Sequence, residues 1–116
     1  MREWADAYLL AKRHDVKPLT LKKIYGPSMR SWCDYCDARG LHHIEAVEPD
    51  DVRRWIGWLQ EHGDSPAYVH MRFRTIRNFF RWWGDEAATP TWRNPMRNVK
   101  PPRVPEKVVD PVDGDL

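Results

Sequence analysis

Apolar residues recur along most of the chain at the spacing of one face of an α-helix, i, i+3, i+4, i+7. The clearest stripe is Val69, Phe73, Ile76, Phe80 and Trp83, at +4, +3, +4, +3. Ser65-Pro66 opens this segment with an N-cap residue followed by a proline at the first helical position. An earlier helix begins at Glu48-Pro49-Asp50-Asp51, with proline at N1 and carboxylates where the helix dipole favours them. Its face is Val52, Trp55, Ile56 and Leu59, and Gly63 closes it. Upstream, the spacing of Tyr25, Met29, Trp32 and Cys36 predicts a helix over about Thr20–Ala38, ended by Gly40 as a C-cap. Gly26-Pro27 falls inside it, so a kink is expected, or a restart with Pro27 in the first turn. Trp4, Tyr8 and Ala11 predict a first helix over about Arg2–Arg13. No strand alternation competes, so the expected class is all-α, a compact bundle of about four helices.

Six of the ten prolines lie from Pro90 onward. Each interior proline removes a donor and clashes with the preceding turn, so this quarter is not a long helix. It reads as an extended proline-rich linker with one short turn near Asn94–Asn98. There are no internal repeats or low-complexity tracts.

Length adds a bound. A chain of 116 residues has room for one hydrophobic core, and is too short for a typical binding domain and a typical catalytic domain together. The hydrophobic fraction of 41% and charged fraction of 31% are those of a soluble globular protein, and seven Trp need burial. No stretch approaches the roughly 20 apolar residues of a membrane span, and no secretory apolar core opens the chain, so neither a membrane nor export is expected. Two Cys in such a chain fit a reducing, cytoplasmic setting.

The net charge of +2 is uninformative until it is divided. Residues 103–116 hold two basic residues against Glu106, Asp110, Asp113 and Asp115; the remainder has 17 basic and 13 acidic residues and carries +4. An acidic tail masks a mildly basic body. Within it, His70, Arg72, Arg74, Arg77 and Arg81 lie on the last helix, with no acid between Tyr68 and Asp85. A helix that balanced its charges internally would carry Glu at i±4 to Arg. Positions 70, 74, 77 and 81 form one ridge off the apolar stripe, suited to the edge of a nucleic-acid groove because Arg pairs with phosphate and guanine in a fixed fork. The plainer reading is a solvated helix face.

Other chemistry is thin. Cys33-x-x-Cys36 with His42 and His43 has part of a zinc spacing, but both Cys fall inside a helix patterned as core, so Cys36 is expected to pack as a small hydrophobe with Cys33 nearer the surface. There is no phosphate loop, nucleophile elbow or metalloprotease helix. Asp50-Asp51 are helix N-terminal charges. Trp82-Trp83 could stack on bases, although Trp83 lies on the core stripe.

Asp50-Asp51-Val52-Arg53-Arg54-Trp55-Ile56, then Gly63-Asp64-Ser65-Pro66-Ala67-Tyr68-Val69, then Ile76-Arg77-Asn78-Phe79-Phe80-Arg81-Trp82 occur in that order, followed by Asn94-Pro95-Met96 and by Val99-Lys100-Pro101-Pro102-Arg103-Val104-Pro105. With Tyr25-x-x-x-Met29-x-x-Trp32 before them, the set resembles the N-terminal core-binding domain of tyrosine recombinases, the phage-integrase type of site-specific recombinase. The resemblance covers roughly residues 18–105. It implies a SAM-like helical bundle forming half of a C-shaped clamp on DNA. The other half would be a C-terminal catalytic domain carrying the nucleophilic Tyr and its Arg, Lys and His. None of those catalytic residues can be placed here, so no catalysis, cofactor or metal is assigned to this chain. Residues 1–100 are expected to be the DNA-binding domain, and 101–116 a linker toward a catalytic domain outside the chain, with Val108-Val109-Asp110-Pro111-Val112 resembling the approach to it.

The resemblance also implies DNA contacts from the first long helix, at Lys22, Lys23 and Arg30, and from the start of the last, at Tyr68, His70, Met71, Arg72 and Arg74. Arg77 and Arg81 extend that set along the ridge. Lys100 and Arg103 would track the DNA backbone, and Ser65 with the amides of its helix could receive a phosphate. The Gly26-Pro27 pair departs from the continuous helix of relatives. Expected partners are double-stranded DNA, the protein's own catalytic domain and other protomers on DNA. Two rivals remain: a helical protein-interaction bundle that does not bind DNA, and a small metal-binding domain using Cys33, Cys36 and a His.

Overall fold

A computed structural model describes residues 1–104 of the chain. Helix α1 runs Arg2–Lys12. A second rod is built from α2 (Pro18–Thr20), a π-helical turn (Leu21–Tyr25) and α3 (Gly26–Arg39), with no break between them. A 3-10 turn (Ile44–Ala46) leads to α4 (Pro49–Glu61), and a short loop to α5 (Pro66–Glu86). The class is all-α, and the described residues contain no strand. No described helix is long and apolar enough to cross a membrane.

Pro27 falls in the first turn of α3, as expected, and a π turn rather than a kink precedes it. Pro27 has no N–H, and in a regular helix its ring would press on the carbonyl four residues back. One extra residue in the preceding turn removes the conflict. The Gly26 N–H reaches the Leu21 carbonyl, an i to i+5 bond, and the rod continues. Gly26 is buried, and a Cβ there would sit 3.4 Å from the Leu21 oxygen. At its far end the rod closes in a Schellman motif. Gly40 has φ 73°, its N–H reaches the Asp37 carbonyl, and the Leu41 N–H reaches the Cys36 carbonyl at 2.8 Å.

The caps anticipated for the last two helices form. The Asp51 carboxylate accepts the Glu48 N–H at 2.8 Å ahead of α4. Ser65 Oγ accepts the Tyr68 N–H at 3.2 Å ahead of α5. Val69, Phe73, Ile76, Phe80 and Trp83 are all buried, joined by Phe79. The core centres on Trp32 of α3, set edge-on to Trp55 of α4 at 5.2 Å and to Phe80 of α5 at 5.8 Å. Edge-to-face pairs of this kind stabilise beyond the area they bury. On α1 the buried side is Ala5 and Tyr8, with Trp4 and Leu9 at its margin; Ala11, expected on it, is exposed, because the helix ends beside the turn into α2.

The reading of an extended linker from Pro90 is corrected. Trp92 packs edge-on against Trp83 at 4.9 Å, and Pro95, Met96 and Val99 are buried. The turn at Asn94–Asn98 is present, with Asn94 Oδ1 accepting the Met96 N–H and Arg53 donating to the Asn98 carbonyl. Proline stops the helix there but leaves apolar side chains between the prolines to cover the end of the bundle. Residues 101–104 have no helical structure. The rest of the expected linker, with Pro105, the acidic tail and Val108–Val112, lies outside the described residues.

Candidate nucleic-acid interface

The basic side chains fall into two groups. Arg2 holds Asp34 and Asp37, each at 2.7 Å. Arg53 holds Asp50 at 2.7 Å, Arg54 lies 3.7 Å from Asp51, and Arg97 lies 3.9 Å from Glu48. These charges are neutralised by acids on α3, in the first turn of α4 and at its N-cap. In contrast, Lys12, Arg13, Lys17, Lys22, Lys23, Arg30, Arg39, Arg74, Arg77, Arg81, Arg93, Lys100 and Arg103 have no ion-pair partner among the described residues.

Much of the second group meets along α5. A groove of about 190 Å³ lies between the start of the second rod and α5, lined by Thr20, Ile24 and Tyr25 on one wall and Met71, Arg74, Thr75 and Asn78 on the other. Lys22 and Lys23 are exposed on the π turn that builds the first wall. A second groove of about 350 Å³ is lined by Lys12, Asn78, Arg81, Trp82 and Asp85. Asn78 belongs to both, so the two form one continuous surface carrying Arg74 and Arg81, both exposed. Lys12 and Asn78 were not anticipated. Asn78 stands four residues after Arg74 and three before Arg81, so its place on the ridge was readable from spacing alone; Lys12 reaches the surface only through the packing of α1 on α5.

Other anticipated residues are placed differently. Arg72 sits on the core side of α5, and its Nε donates to Asp64 at 2.9 Å, an acid eight residues upstream in the loop. Its guanidinium also lies 5.8 Å from the centre of the exposed Tyr68 ring. Arg77 is half-buried, lies over the Phe73 ring at 5.5 Å, and its Nε is enclosed without a partner. His70 is half-buried on the same flank, so of the ridge 70–74–77–81 only Arg74 and Arg81 are exposed, with the half-buried Asn78 between them. Arg30 borders a separate small cleft with Arg2, Asp6 and Cys33 between α1 and α3. Arg30 thus lies on a different cleft from the groove beside the π turn that carries Lys22 and Lys23. Met71 is half-buried in the first groove. Lys100 and Arg103 are exposed, Lys100 directly after the buried Val99. Trp82 is half-buried and stacked on Phe79.

Cys33, expected nearer the surface, is buried like Cys36, and both are free thiols. Burial pushes the Cys33 thiol up to about 11 and raises that of Cys36 further. His42 and His43 are exposed, and no cluster of three His, Cys, Asp or Glu side chains able to hold a metal forms among the described residues. Burial likewise raises the hydroxyls of Tyr8 and Tyr35, which leaves both as poor nucleophiles.

Two known proteins align with this arrangement. Tyrosine recombinase XerC of Chlorobaculum parvum is 25% identical over 112 residues, covering 90% of this chain and 33% of its own. Tyrosine recombinase XerC of Chlorobaculum tepidum is 29% identical over 79 residues, covering 64% of this chain and 23% of its own. The chain is similar to tyrosine recombinases. It spans about a third of the XerC protein from C. parvum and about a quarter of the other. A span of 90% necessarily includes both the second rod and α5, whichever end it starts from, so the similarity to C. parvum XerC runs through both walls of the grooves. No family model and no solved structure matches the chain.

Proposed function

We propose that the chain is the core-binding domain of a tyrosine-type site-specific recombinase, and that it grips duplex DNA through the surface shared by the π turn and α5. In this reading it is half of a clamp. Residues 1–100 make the SAM-like DNA-binding domain, and 101–116 lead to a separate catalytic domain that cuts and exchanges strands during integration or recombination in the cytoplasm. Other protomers bind the same attachment site. The chain itself performs no catalysis and needs no cofactor.

The observation that carries the reading is the set of unpaired basic residues around α5. Lys12, Arg74 and Arg81 border the α5 surface and Lys22 and Lys23 are exposed on the adjoining π turn, all five without an ion-pair partner among the described residues. Unpaired cations on one face suit a polyanion, whose counterions they displace.

The test is a salt titration of binding to a duplex of mixed sequence, read by fluorescence anisotropy. If these five side chains each meet a phosphate, log K falls with log salt at a slope of about −4 to −5. Absence of binding at low ionic strength would sink the reading and favour the interaction bundle.

A further inference from the structure

We infer that Asn78 reads the major-groove edge of an adenine, with Arg74 and Arg81 as phosphate arms on either side. The inference rests on the DNA-binding reading above and adds to it a residue that determines sequence.

Geometry comes first. Arg74, Asn78 and Arg81 follow one another on α5 at +4 and +3, so their Cα atoms lie on one line along the helix. Arg74 and Arg81 are about 10 Å apart along the axis. The major groove is about 12 Å wide. With α5 laid across it, the two guanidinium groups reach opposite rims and the residue between them faces the base pairs. That residue is Asn78, the one side chain common to both grooves. The single acid on this surface, Asp85, stands at its far end, beyond Arg81, and limits the phosphate-binding strip there.

Chemistry comes second. The neighbouring Thr75 hydroxyl is already occupied: its Oγ1 donates to the Met71 carbonyl at 3.1 Å. The Asn78 carboxamide is half-buried and makes no hydrogen bond to another described residue. A carboxamide offers a carbonyl oxygen and an NH₂ side by side. Adenine presents the complement, the N6 amino donor beside the N7 acceptor, whereas guanine presents two acceptors and would leave the Asn oxygen facing an oxygen. Lysines on the opposite wall supply charge without that discrimination.

The experiment incubates the full chain with a randomised duplex pool at low salt and sequences what is retained. Wild type is expected to enrich adenine about tenfold at one position, the discrimination that a bidentate contact gives. Asn78→Ala should lose the enrichment at that position alone, and Asn78→Gln, with the same amide on a longer stem, should recover part of it. Arg81→Ala should weaken retention of all sequences alike while keeping the adenine preference. Melting followed by circular dichroism separates these effects from unfolding, and the Gln variant carries the comparison if the Ala variant melts early. Unchanged enrichment in Asn78→Ala overturns the inference, as does wild type retaining DNA with no positional preference; in both cases the DNA-binding reading stands. Failure of wild type to retain any duplex overturns both.

Discussion

Arg72 and Arg74 are two positions apart on α5, with the same side chain, and the structure gives them different surroundings. Arg72 is held by Asp64 with its side chain largely covered, while Arg74 is exposed on the groove wall. Arg72→Ala is therefore expected to lower stability by about 1 kcal/mol, as loss of a partly covered ion pair does, and to leave the salt slope of DNA binding where it was. Arg74→Ala and Arg81→Ala are each expected to reduce that slope by about 1 and to leave the melting temperature nearly unchanged. Thermal melts paired with salt titrations decide it; a lower slope in Arg72→Ala would return that residue to the interface. Cys33 carries a second prediction at this scale. Its thiol is held neutral by burial up to about pH 11. The unfolded thiol ionises from about pH 8.5, so above that value the unfolded state binds fewer protons and gains on the folded one. The contribution of Cys33 to stability is thus complete below about 8.5 and lost as pH rises toward 11. Cys33→Ala should flatten the fall in stability between pH 9 and about 11 measured by urea titration, and an equally steep fall would show that other groups cause it.

At the scale of elements, the end of α5 is the most exacting contact. Gly84 faces the Trp92 ring, and an added Cβ would stand 2.9 Å from it. Ala favours a helix over Gly by about 1 kcal/mol, but overpacking costs about 1–3 kcal/mol, so Gly84→Ala should destabilise. In a Trp92→Ala background the obstacle is gone, and the same Gly84→Ala change should stabilise. A sign that fails to reverse in this double-mutant cycle would mean that the C-terminal segment does not pack on α5 in solution. This contact also marks what the sequence could convey. The α4 and α5 stripes and caps were legible because they depend on residues within four positions of each other. The packing of Trp92, Met96 and Val99 depends on partners distant in sequence, and the prolines around them pointed to an open linker. The π turn was half legible: Gly26-Pro27 announced a disturbance, but only the neighbouring helices decide between a kink and an inserted residue. The Arg72–Asp64 pair joins a helix to the loop before it, outside the i±4 search that made this stretch look free of acids.

For the whole molecule, DNA affinity depends on the sum of charge near the face as well as on the contacts it makes. The chain carries +2, and its last residues include Asp110, Asp113 and Asp115, which lie outside the described structure. Asp110→Asn, Asp113→Asn and Asp115→Asn together raise the net charge to +5 without changing length. If those carboxylates spend their time within a Debye length of the α5 surface, about 10 Å at 0.1 M salt, they compete with phosphate for Lys12, Arg74 and Arg81. The triple substitution is then expected to tighten duplex binding several-fold at 0.02 M salt, where screening extends over roughly 20–30 Å, and to make no difference near 0.5 M, where charges more than a few ångströms apart are screened. Converging titration curves would show that the tail acts on binding through its field. Curves that coincide at all salt concentrations would place the acids beyond reach of the face, and a constant gap independent of salt would point to a contact made by the tail itself.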